Sequence, residues 1–160
     1  MNPQNMTAWP KRGDLIRDYE LRDRQGRPVM LSDFRGRAAL VLAVWQGPLN
    51  EAQRQLLESL RANAGQFREN EAQVIVIVNS EWMPALSEVS DEVLIVTDPT
   101  GNFIRANGAP VIYVTDKFRE VFQRFAGLET LPTADELLGW AEFVSMQCPE
   151  CHPPEWPAVG

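Results

Sequence analysis

The residues best equipped for chemistry lie at the end of the chain, in Cys148-Pro149-Glu150-Cys151-His152. These are the only two cysteines and the only histidine among 160 residues. Four readings fit the cluster. Two thiols three positions apart can close a strained, reducible disulfide, and His152 beside them would favour the thiolate. Cys148, Cys151 and His152 could instead supply two or three ligands to zinc, with Glu150, water or a second subunit completing the set. C-x-x-C-H is also the attachment pattern of c-type haem. That reading is disfavoured, because a short proline-rich tail offers little burial for a macrocycle. Finally, the cysteines could be small apolar side chains at a helix end. No cofactor is required by any other part of the chain.

No nucleophile–base set accompanies this cluster, since a lone histidine leaves no Ser-His-Asp or Cys-His pair elsewhere. Paired acids such as Asp91-Glu92 and Asp135-Glu136 fall at expected helix ends, where capping explains them. Glycine-rich phosphate loops are absent, and Asn107-Gly108 reads as a turn. The formal net charge of −7 argues against nucleic acid. Between Lys11 and Arg37, eight basic residues face five acidic ones, a mixture expected of a solvated hairpin. The N-terminus shows no secretory pattern, and the apolar run Ala38–Trp45 is far shorter than a membrane span. A cytoplasmic protein without membrane contact is the resulting expectation.

The elements that must position any site follow from periodicity. Residues 1–12 read as a polar arm, 13–147 as one domain and 148–160 as a proline-rich tail carrying the C-x-x-C. Leu15–Leu21 and Val29–Leu31 flank Asp23-Arg24-Gln25-Gly26 as a hairpin, with Pro28 fitting only at an edge. Ala38–Trp45 and Val74–Val78 are continuous apolar runs, as in strands covered on both faces. Between them Asn50, with Gln53 three residues on, caps a helix whose stripe is Ala52, Leu56, Leu57, Leu60, Ala64 and Phe67. Trp82, Ala85, Leu86 and Val89 suggest a short helix near Pro84. Val93–Thr97 reads as a strand closed by Asp98-Pro99-Thr100-Gly101. Val111–Thr115 and Val121–Phe125 form a hairpin, and Thr133 with Glu136 caps the last helix. The order is hairpin, β, α, β, α, β, β, β, α. It implies an α/β sandwich with a mixed sheet, and the run Ala38–Trp45 near its centre.

Three stretches resemble the redoxin branch of the thioredoxin superfamily, which includes the AhpC/TSA peroxiredoxins and the TlpA-like thiol reductases. Arg27–Arg37 resembles that branch's approach to its first core strand. Val41–Leu49 resembles its strand and turn F-W-A-x-W-C-G-P-C. Gly108–Asp116 resembles its proline strand, in which the proline is cis. The resemblance covers about Gly13 to Val144. It implies a three-layer thioredoxin-like sandwich, a central mixed sheet with helices on both faces and an N-terminal hairpin.

The departures from the pattern carry equal weight. In Trp45-Gln46-Gly47-Pro48-Leu49 the family's two cysteines fall on Gln46 and Leu49. A carboxamide and an alkyl chain supply no thiolate, and no cysteine precedes Cys148. Peroxidase chemistry at the family position is therefore excluded, leaving a degenerate site of Trp45, Gln46, Gly47, Pro48, Leu49 and Pro110. Redox and non-redox functions both fit these residues. In one, Cys148 and Cys151 act as the catalytic pair of a thiol-disulfide oxidoreductase or regulatory switch, with a protein or small thiol as partner. In the other, the fold is a non-catalytic binding or scaffold module, or a zinc-binding homodimer. The family topology implies that Cys148 lies at the pole opposite Gln46. Trp156 in the tail reads as an apolar anchor on its own domain.

Overall fold

The computed structural model describes residues 9–79 and 92–147. Seven strands make one sheet: β1 (Leu21–Arg22), β2 (Pro28–Val29), β3 (Ala39–Val44), β4 (Ala72–Val78), β5 (Val93–Thr97), β6 (Val111–Thr115) and β7 (Val121–Ala126). Their order is β2-β1-β5-β4-β3-β6-β7. The pairs β3–β4 and β4–β5 are parallel, and β3–β6, β6–β7, β1–β5 and β1–β2 are antiparallel. The four described helices are α1 (Glu51–Ala62), α2 (Ala64–Glu69), α3 (Asn102–Asn107) and α4 (Ala134–Ser145).

Side chains along a strand alternate faces, so each buried strand feeds two cores. Val41, Ala43, Val74, Val76, Ile112 and Val114 pack with Leu56, Leu60, Phe67, Leu137 and Ala141, beneath α1, α2 and α4. Leu40, Leu42, Ile75, Ile77 and Tyr113 pack on the other face with Phe103 of α3 and with Ile16, Leu21 and Leu31. The result is the expected three-layer sandwich with helices on both faces.

Several boundaries differ from the sequence reading. The N-terminal hairpin keeps its turn but shrinks to two residues a side, with Leu21 opposite Val29 and Pro28 on the outermost strand. Leu15 bridges Glu120 instead. Leu31 enters a 3-10 turn, Leu31–Phe34, because the Asp18 carboxylate accepts the N–H groups of Leu31 and Ser32 at 2.8 and 3.0 Å. Mixed charge in this region is satisfied locally, through Arg22–Glu20 and Arg27–Asp23.

The expected long helix breaks at Asn63, which closes α1 and opens α2 while Ala64 and Phe67 stay buried. Ala52 is exposed and Gln53 is buried in its place, since Gln53 turns back to cap the helix start. Helix α3 was not expected at all. Its six residues are too few to show a period, and Asn107-Gly108, read as a turn, is its C-terminal end. Trp9, assigned to the arm, donates its indole N–H to the Arg105 carbonyl at 3.1 Å. The expected helix around Trp82–Val89 and the whole tail lie outside the described residues.

Candidate functional site

β3 leads directly into the junction that the sequence singled out. The Trp45 N–H continues the β3–β4 ladder to the Ile77 carbonyl at 2.9 Å, and its side chain is fully buried. Gly47, at φ +81°, turns the chain in a region that disfavours side chains. Gln46 and Pro48 are exposed, whereas Leu49 is half-buried against the core cluster that holds Trp45. Leu49 thus fills the core where the family pattern would have a second thiol.

Helix α1 starts at Glu51, behind a complete capping box. The Asn50 carboxamide accepts the Gln53 N–H at 2.8 Å, and the Gln53 side-chain oxygen accepts the Asn50 N–H at 2.8 Å. Helix-start donors are the groups that would hold an anion and lower a thiol's pKa. Here two of the donors at the start are taken by the chain's own side chains. Gln46 itself lies five positions before the first helical residue, outside the first turn.

The proline loop arrives at the same end of the sheet. Val44 is paired with Val111, so Trp45 and Pro110 extend from neighbouring residues of β3 and β6. The Ala109–Pro110 bond is cis, as the resemblance implied. Behind this loop the Tyr113 hydroxyl donates to the Asn107 carbonyl. Burial pushes the Tyr113 phenol up, with the Arg124 guanidinium pulling the other way. The structure therefore brings Trp45, Gln46, Gly47, Pro48, Leu49 and Pro110 to one end.

Gln46 also lines a cleft of about 300 Å³ with Asn79, Asp98, Pro99, Gly101, Ile104 and Arg105. Sequence reasoning did not single out Asn79, Asp98 or Arg105 as functional. A usable signal existed for two of them. Asn79 and Asp98 are the first polar residues after apolar parallel strands, and ligands of α/β sheets gather beyond such strand ends. Arg105 sits on the unexpected α3.

Cys148, Cys151 and His152 lie outside the described residues, and so does their separation from Gln46. Among the described residues, no cluster of three or more histidine, cysteine, aspartate or glutamate side chains could hold a metal ion. No described helix is long and apolar enough to cross a membrane.

A mixed seven-stranded sheet, helices on both faces and a cis-proline loop beside the first strand–helix junction define a thioredoxin-fold redoxin. The family model for AhpC/TSA matches residues 12–135, and the chain belongs to that family. Solved structures agree on the fold. Peroxidoxin BcpB of Mycobacterium tuberculosis superposes with a TM-score of 0.69 at 19% identity, over 85% of this chain and 96% of that one. AhpC of the same organism gives 0.70 at 13% identity, over 86% and 94%. The thioredoxin domain of a thiol-disulfide oxidoreductase from Bacteroides vulgatus gives 0.67 at 18% identity, over 84% and 98%. No curated protein sequence matches the chain.

Proposed function

We propose that this redoxin carries no thiol chemistry at its strand–helix junction and acts through Cys148 and Cys151 as a thiol-disulfide redox or regulatory protein. One observation carries the reading. Every residue before Cys148 lacks a thiol, so the junction cannot form a sulfenate or a mixed disulfide. The helix start supports it, because Gln46 lies outside the first turn and the Asn50 and Gln53 N–H groups are already bonded within the capping box.

In the reaction proposed, the Cys148 thiolate attacks a partner disulfide, and one partner sulfur leaves as a thiolate. Cys151 then attacks the mixed disulfide and releases the second sulfur. The pair loses two electrons and two protons, and the partner disulfide gains them. The partner is a protein or a small disulfide. His152 beside the pair favours the thiolate.

The test is a Cys151→Ser trap in the full chain, with captured species identified after non-reducing separation. A redox role predicts a defined Cys148-linked adduct and a reversible Cys148–Cys151 bond with a potential near or above about −270 mV. No adduct, with a pair that stays reduced across that range, would reject it. Stoichiometric zinc in untagged protein, lost in Cys148→Ser, would favour the metal-bound homodimer instead. The second reading, a non-catalytic binding module, is favoured by the polar cleft at Gln46. It predicts partner binding that survives Cys148→Ser and Cys151→Ser together.

A further inference from the structure

Three parallel strands end beside one another, and the residues just after them (Gln46 after β3, Asn79 after β4, Asp98 after β5) line the same cleft. Asp98 is only 8% exposed. Its Oδ2 accepts the Ile104 N–H at 2.9 Å, but its Oδ1 is buried without a hydrogen-bond partner among the described residues. The Asn79 Oδ1 is likewise buried and has no partner among the described residues. Leaving such acceptors unpaired is costly, and most native structures avoid it.

Arg105 lines the same cleft. Its guanidinium donates to the Thr100 carbonyl and the Asn102 side-chain oxygen, both neutral acceptors. Among the described residues no ion pair joins Arg105 to Asp98. A cation and a carboxylate thus share about 300 Å³ without neutralising each other. That volume is at the small end for ligand pockets. Pro99 and Ile104 add short apolar lining.

We propose that this cleft binds a small zwitterion of amino-acid size, with its ammonium on Asp98 and Asn79 and its carboxylate on Arg105. An ammonium carries three donors, enough for both orphaned oxygens. A carboxylate gives Arg105 a charged acceptor, which it lacks among the described residues, and a short aliphatic side chain meets Ile104. Gln46 closes the rim. The site uses no thiol, so it is independent of the Cys148 and Cys151 reading.

The experiment is an NMR titration of the full chain, following the side-chain amides of Asn79 and Gln46. The probes are L-alanine, L-valine and L-methionine, with N-acetyl-L-valine and L-valinamide as charge-blocked partners. Saturable shifts are expected for the amino acids, with each blocked form weaker by about tenfold or more, as for a lost charged hydrogen bond. Arg105→Met should weaken valine binding and remove the difference between valine and valinamide. Asp98→Asn should remove the difference between valine and N-acetylvaline. Asp98 also holds α3, so if Asp98→Asn unfolds, the exposed Arg105→Met decides alone. No saturable shift with any amino acid would overturn the proposal. Equal binding of the blocked forms, or unchanged discrimination in Arg105→Met, would do the same.

Discussion

Replacing Asn50 by alanine should destabilise the protein by about 1 kcal/mol, within a range of about 0.5–2 for a lost N-cap. The bond removed is the 2.8 Å contact from the Gln53 N–H to the Asn50 carboxamide. The reverse bond, from the Asn50 N–H to Gln53, uses backbone at position 50 and survives. For a domain of this size, 1 kcal/mol corresponds to a fall in Tm of about 2–4 °C. Asn50→Asp keeps the acceptor oxygen and adds a negative charge at the helix start, a favourable placement of about 0.3–1 kcal/mol. Glu51 next to it offsets part of that gain. Asn50→Asp should therefore match or slightly exceed the parent. Gln53→Ala removes the reciprocal bond and a buried side chain, and the two losses should couple by about 0.5 kcal/mol in a double-variant cycle. Urea unfolding with an unchanged m-value is the assay. If Asn50→Asp proves as damaging as Asn50→Ala, the cap does not hold α1, and the account of its occupied donors fails.

Gly108 sits at φ +82°, ψ 168°, where an added Cβ would meet the Trp9 ring at 2.9 Å. Gly108→Ala should cost about 1–3 kcal/mol from the backbone alone, and Trp9→Ala should relieve only the remainder. Full relief would refute the backbone argument. Burial raises the Asp116 carboxyl above its ordinary 3.8, against the N–H groups of Phe118 and Glu120. The native state then holds its proton where the unfolded chain has lost it. This contribution is present below the ordinary value and is lost as pH rises through the raised one. Asp116→Asn should flatten that fall in a pH series of denaturation midpoints, and an unchanged slope would count against it. Gln46→Cys, in a chain lacking both tail thiols, should give a thiol titrating near the ordinary value of about 8.5. Alkylation rates against pH measure this, and a titration below about pH 7 would show that the helix start still serves an anion.

Much of the fold was legible because its signals are local. Continuous apolar runs announced β3 and β4, and Asn50 with Gln53 announced the start of α1, since both act within a few residues. The cis Ala109–Pro110 bond was reached only through the family resemblance. Other features depended on contacts that no short window contains. Asp18 reaches Leu31 and Ser32 and converts the expected strand end into a turn. Phe103 secures α3 by burial against a core built from β3, β4 and β6.

The site divides in the same way. The sequence alone establishes that no sulfur nucleophile exists before Cys148, because that follows from residue identity at each position. Only the tertiary structure shows that Gln46, Asn79, Asp98 and Arg105 surround one cleft. These four are spread across 60 positions of chain, from 46 to 105. Parallel pairing of β3, β4 and β5 brings their ends together, and α3 then adds Arg105. Residue type is written locally, whereas the convergence of distant strand ends is set by how the chain packs.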